Sequence, residues 1–481
     1  MEFWTGPQIR ALIGKDLTID SLQRALAFGM EDQEKSIGED AGPRLLVLDD
    51  LGRRWRQFLD YDQAEALIER LSSQTGYGRR MVRMDLEFIS GLLNAPAIRQ
   101  SLNNSLPVGL QSLAGFVKVG NEELYTCRPA GPVLTIGSGN SVLPVMISAT
   151  TALAIGNFTL VRPSASNRQA VFQVFSMLEK IGDEETPLAP AARKMSNSCI
   201  VFYEQAGGDL LRFLMEKARI GVVNFWGADP ALSEVSKSVS SNMNHPRLSL
   251  LGPLVGYAVV HSDADLEEAA SSLAEGIIYY DQQLCSSPTE ACFVGDLEQA
   301  KRYADNVGNK LEQMTSDFPI VKPEYEIHLL QSARNLLKAN GSGLIIPSDG
   351  GPEWTLAVSS EKSNLDATVN SIPEFLLHAR RRFLEIIAVE SQSDVVEKVR
   401  RLPDRAPFKG VLRVQTVGLA ASRERFEALT RLLYGSGAYR IVPLKEMHLR
   451  SPVEPFDGRH FARDFVDIIY IRQQTGSARA D

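Results

Sequence analysis

Apolar residues recur at helical spacing along the first hundred residues of the chain. Between Asp62 and Leu106 they fall at Leu67, Ile68 and Leu71, then at Met84, Leu86, Ile89 and Leu92, the period of helices that bury one face. Residues 1–105 therefore read as a helical, rather polar region. The pattern changes near Gly115. GFVKVGNEELYTCRP (115–129) has two short strand-like runs around a Gly-Asn pair, which predicts a hairpin. Strand-like and helix-like stretches then alternate: PVLTI (132–136), VLPVMISATTALAI, FTLVRPS, NRQAVFQVFSMLEKI, CIVFYE (199–204), DLLRFLMEKA and IGVVNFWG (220–227). A second such region runs from about Tyr257 to Val442. It holds a helix at 264–278, the strand ACFVG (291–295), an amphipathic helix at 297–315, the strand LEIIAV (384–389), the helix DVVEKVRRL, the strand GVLRVQTV, the helix RERFEALTRLLY, and YRIVPL. Repeated βα units imply an α/β protein with parallel sheets covered by helices. The strand-like FVDIIYI (465–471) has no neighbour in sequence, so it must pair with a distant strand or another subunit.

A chain of 481 residues is too long for one simple core and implies two domains with additions. Lys+Arg 51 against Asp+Glu 59 gives a net charge of −8, which argues against a chain-wide nucleic-acid function. No apolar run is long enough to span a bilayer, and MEFWTGPQIR lacks the basic start and apolar core of a signal peptide. The four cysteines, Cys127, Cys199, Cys285 and Cys292, have neither metal-site spacing nor the density of a disulfide framework. A cytoplasmic protein with reduced thiols is expected.

Few residues advertise chemistry. GSGN (137–140) lies between a strand and a helix but matches neither GxGxxG nor a Walker motif, so by itself it is a tight turn at a helix start. Cys285 sits in YYDQQLCSSPTEACFV, on a loop between a helix and a strand, where an accessible thiol is expected. Cys127, Cys199 and Cys292 lie in or beside strands and read as packed small hydrophobes. The six histidines show no HExxH and no close pairing, so no metal site is expected. The basic run His378-Ala-Arg-Arg-Arg382 reads first as a solvated helix face and second as an attractor for a phosphate-bearing substrate.

Six segments carry a wider likeness: TGYGRRMVRMDLEFISGLL (75–93), GPVLTIGSGNSVLPVMISATTALAIGNFTLVRPSA (131–165), VFYEQAGGDLLRFL, NFWGAD (224–229), DQQLCSSP (281–288) and PFDG (455–458). In this order they resemble the acyl-CoA reductase family typified by the bacterial luminescence fatty-acyl reductase (LuxC), a branch of the aldehyde dehydrogenase superfamily. DQQLCSSP is the most specific of them.

The resemblance implies roles residue by residue. Cys285 aligns with the family nucleophile, and Gln283 with the Gln that shapes its loop. Asn140 aligns with the Asn whose amide, with the backbone N–H of the cysteine, forms the oxyanion hole. Arg162, Pro163 and Ser164 stand where the superfamily has a Lys-Pro-Ser that meets the adenosine side of the cofactor. Trp226 and Gly227 stand where a loop approaches its pyrophosphate. A thiolate is both a good nucleophile and a good leaving group, so it can take an acyl group from a thioester and later release an aldehyde. Two positions depart from the wider superfamily. Leu250, in LSLLGPLVG, replaces the Glu that activates water, and Pro253 replaces a Gly. The E-I-F-G-P segment that holds the nicotinamide ribose has no equivalent before LEIIAV.

The implied fold is aldehyde-dehydrogenase-like. It has a helical N-terminal region (1–105), a cofactor-binding domain (106–255) with an oligomerisation hairpin (115–128), a catalytic domain (256–442), and a return segment with an oligomerisation strand (443–481). The active site is expected in the cleft between the domains. The implied function is reduction of an acyl-CoA, or of a carrier- or acyltransferase-bound acyl group, to an aldehyde with NADPH, in a homodimer or homotetramer. The alternatives are a CoA-acylating aldehyde dehydrogenase working oxidatively and a non-reducing acyl-holding partner subunit.

Overall fold

The computed structural model describes residues 2–473; the last part of the return segment, 474–481, lies outside them. The chain divides into two compact units. Among the described residues, unit 1 comprises 2–75, 83–251 and 451–473, and unit 2 comprises 76–82 and 252–450.

Unit 1 is built on a six-stranded sheet. Its strands are β1 (Glu2–Thr5), β4 (Val133–Ile136), β5 (Thr159–Arg162), β6 (Cys199–Tyr203), β7 (Val222–Trp226) and β8 (Arg247–Leu251), in the order β1-β6-β5-β4-β7-β8; β2 (Val117–Lys118) and β3 (Glu123–Pro129) lie apart from it. All neighbours are parallel except β1 on β6. The parallel strands are short and apolar because helices cover both faces. β1 was not legible in the sequence: four residues at the chain start become a strand only because the β6 edge, 195 or more residues away, offers them hydrogen bonds. The N-terminal helices do not stand apart. Ile9, Ile13, Leu22 and Leu26 share one core with Leu134, Leu160, Ile200 and Val223. The region expected to be helical between Asp62 and Leu106 is three helices, Asp62–Thr75, Arg79–Leu92 and Ala95–Ser105. Asn94 ends the second break, its side chain accepting from the N–H of Ala97 at 3.0 Å as an N-cap.

Strand β16 (Val466–Arg472) runs antiparallel to β3 over seven residues, and β2 completes a three-stranded sheet in the order β16-β3-β2. The hairpin and the tail strand thus find each other. After the buried Val466, half-buried and exposed residues alternate along β16, and Ile468 and Tyr470 are exposed.

Unit 2 holds a seven-stranded sheet of β9 (Leu254–His261), β10 (Pro288–Val294), β11 (Gly343–Ile345), β12 (Thr355–Ser360), β13 (Phe383–Val389), β14 (Arg413–Ala420) and β15 (Arg440–Pro443), ordered β11-β12-β13-β10-β9-β14-β15. Only the edge pair β11–β12 is antiparallel. β10 and β13, at the centre, are buried along their whole length. Among the described residues no helix is long and apolar enough to cross a membrane.

Candidate active site

In unit 2 the chain leaves helix Leu266–Ile278 through a 3-10 turn at Tyr279–Gln282 and reaches β10 at Pro288. Cys285 lies on the loop between. Of the four cysteines it is the only one not buried. Burial pushes the thiols of Cys127 and Cys199 up, and that of Cys292, which also meets Tyr257 Oη at 2.9 Å, up to about 12. A thiol held protonated is a poor nucleophile, which disfavours these three.

The loop enters by an unusual path. Tyr280, Asp281 and Gln282 are consecutive non-glycine residues with φ of 54°, 49° and 64°. Each left-handed L-residue costs about 1–2 kcal/mol, so the surroundings must hold the turn. They do so through side chains that meet its underside. Asp281 Oδ1 accepts from Arg382 Nε at 2.9 Å and lies 2.6 Å from Arg382 Nη2, with both side chains at most 2% exposed. Arg382 Nη1 goes on to the carbonyl of Phe318 at 2.7 Å. Gln282 donates to the carbonyl of Pro288 at 2.6 Å and accepts from the N–H of Phe383 at 2.8 Å, tying the turn to the start of β10 and to the start of β13. Gln283, the residue expected to shape the loop, donates to the carbonyl of Asp281 at 3.3 Å. The basic run is therefore no solvated helix face: Arg380 and Arg382 are buried, and residues 377–379 form a 3-10 turn. Sequence spacing could not show this, because the partner of Arg382 is 101 residues away.

The far side of the loop packs onto β9 and on the segment after β15. A Cβ on Gly256 would lie 2.4 Å from the carbonyl oxygen of Ser286 and 2.6 Å from that of Ser287, so only glycine lets the loop settle here. Ser286 Oγ is 3.0 Å from His448 Nδ1. Burial, with the charges of Arg440 and Arg450 nearby, pushes the His448 imidazole down to about 4, so it is neutral at pH 7. Cys285 Sγ accepts a hydrogen bond from Gln415 Nε2 at 3.1 Å.

Unit 1 gathers the other expected residues. Asn140 ends the GSGN turn between β4 and helix Leu143–Ile155, and its Oδ1 accepts from Ser138 Oγ at 2.8 Å. The turn is wired to the end of β5: Asn167 Nδ2 donates to the carbonyls of Ser138 (3.1 Å) and Ser141 (2.7 Å), and Ser166 Oγ to that of Gly139 (2.8 Å). Asp85 caps the following helix, accepting from Ser141 Oγ and from the N–H of Val142.

Arg162 closes β5. Its Nη2 donates to the Glu204 carbonyl at 2.8 Å, and its guanidinium lies 5.6 Å from the centre of the Tyr203 ring. Its Nε is buried without a hydrogen-bond partner among the described residues. Tyr203, Gln205, Gly207 and Gly208 line a cavity of about 570 Å³ together with three acidic residues, Glu2, Glu204 and Asp209. The Glu204 carboxylate caps helix Asp209–Glu216 through the N–H groups of Leu210 and Leu211. Pro163 is buried and Ser164 Oγ meets Ser166 Oγ at 3.0 Å. Trp226 is a packed residue: its Nε1 donates to Ser148 Oγ (2.8 Å) and Asn224 Oδ1 (2.9 Å), and Phe456 and Phe461 meet its ring edge-on. The N–H of Gly227, the next residue, donates to the Leu251 carbonyl at 3.2 Å. Leu250, expected at the place of a general base, packs its side chain against the core of unit 1.

Residues 45–468 match the acyl-CoA reductase (LuxC) family. The chain belongs to that family. A long-chain acyl-protein thioester reductase from Vibrio harveyi is 25% identical over 309 residues, which is 64% of this chain and 61% of the relative's own length. Among solved structures, the NAD-dependent aldehyde dehydrogenase of Sinorhizobium meliloti superposes with a TM-score of 0.69 at 14% identity, covering 96% of this chain and 88% of its own. The glyceraldehyde-3-phosphate dehydrogenase of Methanocaldococcus jannaschii, solved with NADP, gives 0.66 at 12% identity, covering 94% of each. Like the LuxC family resemblance, these structures bear out the aldehyde-dehydrogenase-like fold.

Proposed function

We propose that this LuxC-family chain reduces an acyl thioester to an aldehyde, holding the acyl group on Cys285 between the two half-reactions. The observation that carries the reading is Cys285 itself: the one cysteine not buried, on a rigidly clamped loop, in the family's own DQQLCSSP segment. Its thiolate attacks the acyl carbon, a new C–S bond forms, and the donor leaves as a thiolate. The donor is an acyl-CoA, or an acyl group on a carrier protein or acyltransferase. Asn140, its amide oriented by Ser138, supplies a fixed donor for charge on the carbonyl oxygen. A reduced nicotinamide, when bound, supplies the hydride that turns the thioester into an aldehyde. Leu250 cannot take a proton from water, which favours reduction of the acyl group over its hydrolysis.

The residues of unit 1 fit such a cofactor. The cavity beside β6 has Arg162 behind its wall, with a buried, unpartnered Nε, and a cation there favours NADPH through its 2′-phosphate. Glu204 on the same wall favours the second reading, NADH, because a carboxylate accepts from ribose hydroxyls and repels a phosphate. The exposed alternate residues of β16, at the edge of its sheet, support a homodimer or homotetramer, and membership of the family supports a cytoplasmic setting.

The test is a panel of acyl-CoA thioesters followed by loss of NADPH absorbance and by trapping of aldehyde. Acyl thioester without NADPH should label the protein, and Cys285→Ala should abolish both label and product. Label that survives Cys285→Ala refutes the assignment. Label without any hydride transfer identifies an acyl-holding subunit instead, and net aldehyde oxidation at physiological cofactor ratios identifies the reverse enzyme. Arg162→Ala should weaken NADPH far more than NADH; equal losses place Arg162 in the fold.

A further inference from the structure

Gln415 lies on β14, nowhere near Cys285 in sequence, and its side chain is 1% exposed. It is also the odd residue of its strand. β14 pairs with β9 in regular register up to Val414↔Val255, then resumes at Thr416↔Gly256, so Gln415 is bulged out of the ladder. Bulges re-aim side chains and tend to lie beside functional sites. This one sits opposite Gly256, the glycine on which the Cys285 loop rests. The bulged side chain reaches the sulfur: Gln415 Nε2 donates to Cys285 Sγ at 3.1 Å.

The far end of the same amide is fixed by a cation. Arg450 Nη2 donates to Gln415 Oε1 at 2.7 Å, and Thr416 Oγ1 does so at 3.3 Å. A guanidinium has only donors to offer, so the edge of the amide facing it must be the oxygen. The edge facing sulfur is then the NH2. A positive charge pulling on Oε1 polarises the amide and strengthens its N–H as a donor. The other ionisable groups on the elements meeting this loop are His448 and Arg440 beside Arg450, Glu275 and Tyr279 on the approach to the turn, and Asp281 with Arg382 beneath it. His448 is neutral at pH 7 and bonds to Ser286.

We propose that Gln415, held and polarised by Arg450, is a catalytic residue that stabilises the Cys285 thiolate through its Nε2–H···Sγ bond, with Arg450 as its positioning residue. The proposal rests on Cys285 being the nucleophile. It gives the thiolate support in two places. Before acyl transfer it raises the fraction of sulfur present as thiolate at neutral pH. After hydride has added to the acyl carbon, the carbonyl re-forms, the C–S bond breaks and the sulfur leaves with the electron pair; a donor waiting at Sγ makes that departure easier. Once the sulfur is acylated and uncharged, the bond weakens, so the acyl-enzyme is not overstabilised. A more stable thiolate is intrinsically a weaker nucleophile, so the gain falls mainly on the leaving step and on thiolate population.

The measurement is the pH dependence of Cys285 alkylation by iodoacetamide, read by mass spectrometry of the Cys285 peptide. It needs no acyl substrate and no cofactor. Gln415→Met should raise the apparent midpoint by about one pH unit, which is about tenfold slower labelling below the midpoint. Arg450→Met should raise it by a smaller amount, and Arg450→Lys, which keeps a cation, should return part of the shift. Thermal unfolding of each variant is recorded alongside. An unmoved midpoint in a folded Gln415→Met or Arg450→Met protein overturns the proposal and leaves the pair a structural contact. If Gln415→Met does not fold, Arg450→Met, on a half-exposed side chain, decides by the same criterion. Acyl label that survives Cys285→Ala would instead refute the nucleophile assignment, whatever the midpoints do.

Discussion

The turn before Cys285 asks for a quantitative test. Three consecutive left-handed residues, Tyr280, Asp281 and Gln282, store roughly 3–6 kcal/mol at the usual cost per residue. The Asp281–Arg382 pair is the strongest tie against it. Arg382→Met removes two contacts to Asp281 Oδ1 and one to the Phe318 carbonyl while keeping most of the side-chain volume. Both partners are almost fully buried, and removing one member of a buried pair costs about 3–5 kcal/mol, because the other charge is left without compensation. Burial already pushes the Asp281 carboxyl up, and Arg382 is the largest influence holding it down. In Arg382→Met the carboxyl should therefore take a proton, which removes the charge but not the lost hydrogen bonds. Asp281→Asn combined with Arg382→Met should recover a substantial part of the loss, since no charge is then buried alone. Urea denaturation is the assay, read by tryptophan fluorescence in a Trp4→Phe, Trp55→Phe, Trp226→Phe background so that Trp354, which is buried in the same unit, alone reports the transition. The single variant should lose about 3–5 kcal/mol, and the double variant clearly less. A loss under about 1 kcal/mol, the range of exposed ion pairs, or a double variant no more stable than Arg382→Met, would refute the idea that this pair holds the turn.

Asn140→Ala should lower kcat about 10²- to 10³-fold with little change in KM, because its amide matters when charge develops; a variant that only raises KM marks a binding role. His448 gives a pH prediction. Its folded value is depressed to about 4 from 6.5, so the unfolded chain binds the proton more readily, and stability is intact above pH 6.5 and is lost as pH falls towards 4. The full loss is about 3 kcal/mol, and His448→Gln should flatten this limb in urea midpoints measured from pH 7.5 to 4.5; an equally steep limb in the variant would assign the acid loss to other groups.

Much of the architecture was legible in the chain. Helix Leu297–Thr315, β13 and the βα alternation from Val133 to Trp226 follow from apolar period and length alone, because local propensity and the buried face agree there. The Cys285 loop was legible too, since small polar residues between a helix and a strand mark an exposed connection. The sequence could not show what holds that loop. Arg382 lay in a run that read as solvated, and Gln415 in a strand that read as regular. A buried ion pair and a β-bulge are set by which strands become neighbours, and those contacts join residues 101 and 130 positions apart. Likewise β1 and β16 gain their meaning from remote edges. Period and composition fix what each segment wants to become, because those preferences act over a few residues. Which side chains meet at the sulfur is decided only when the sheet orders are complete, because only then do hydrogen-bond donors from distant segments share one buried space.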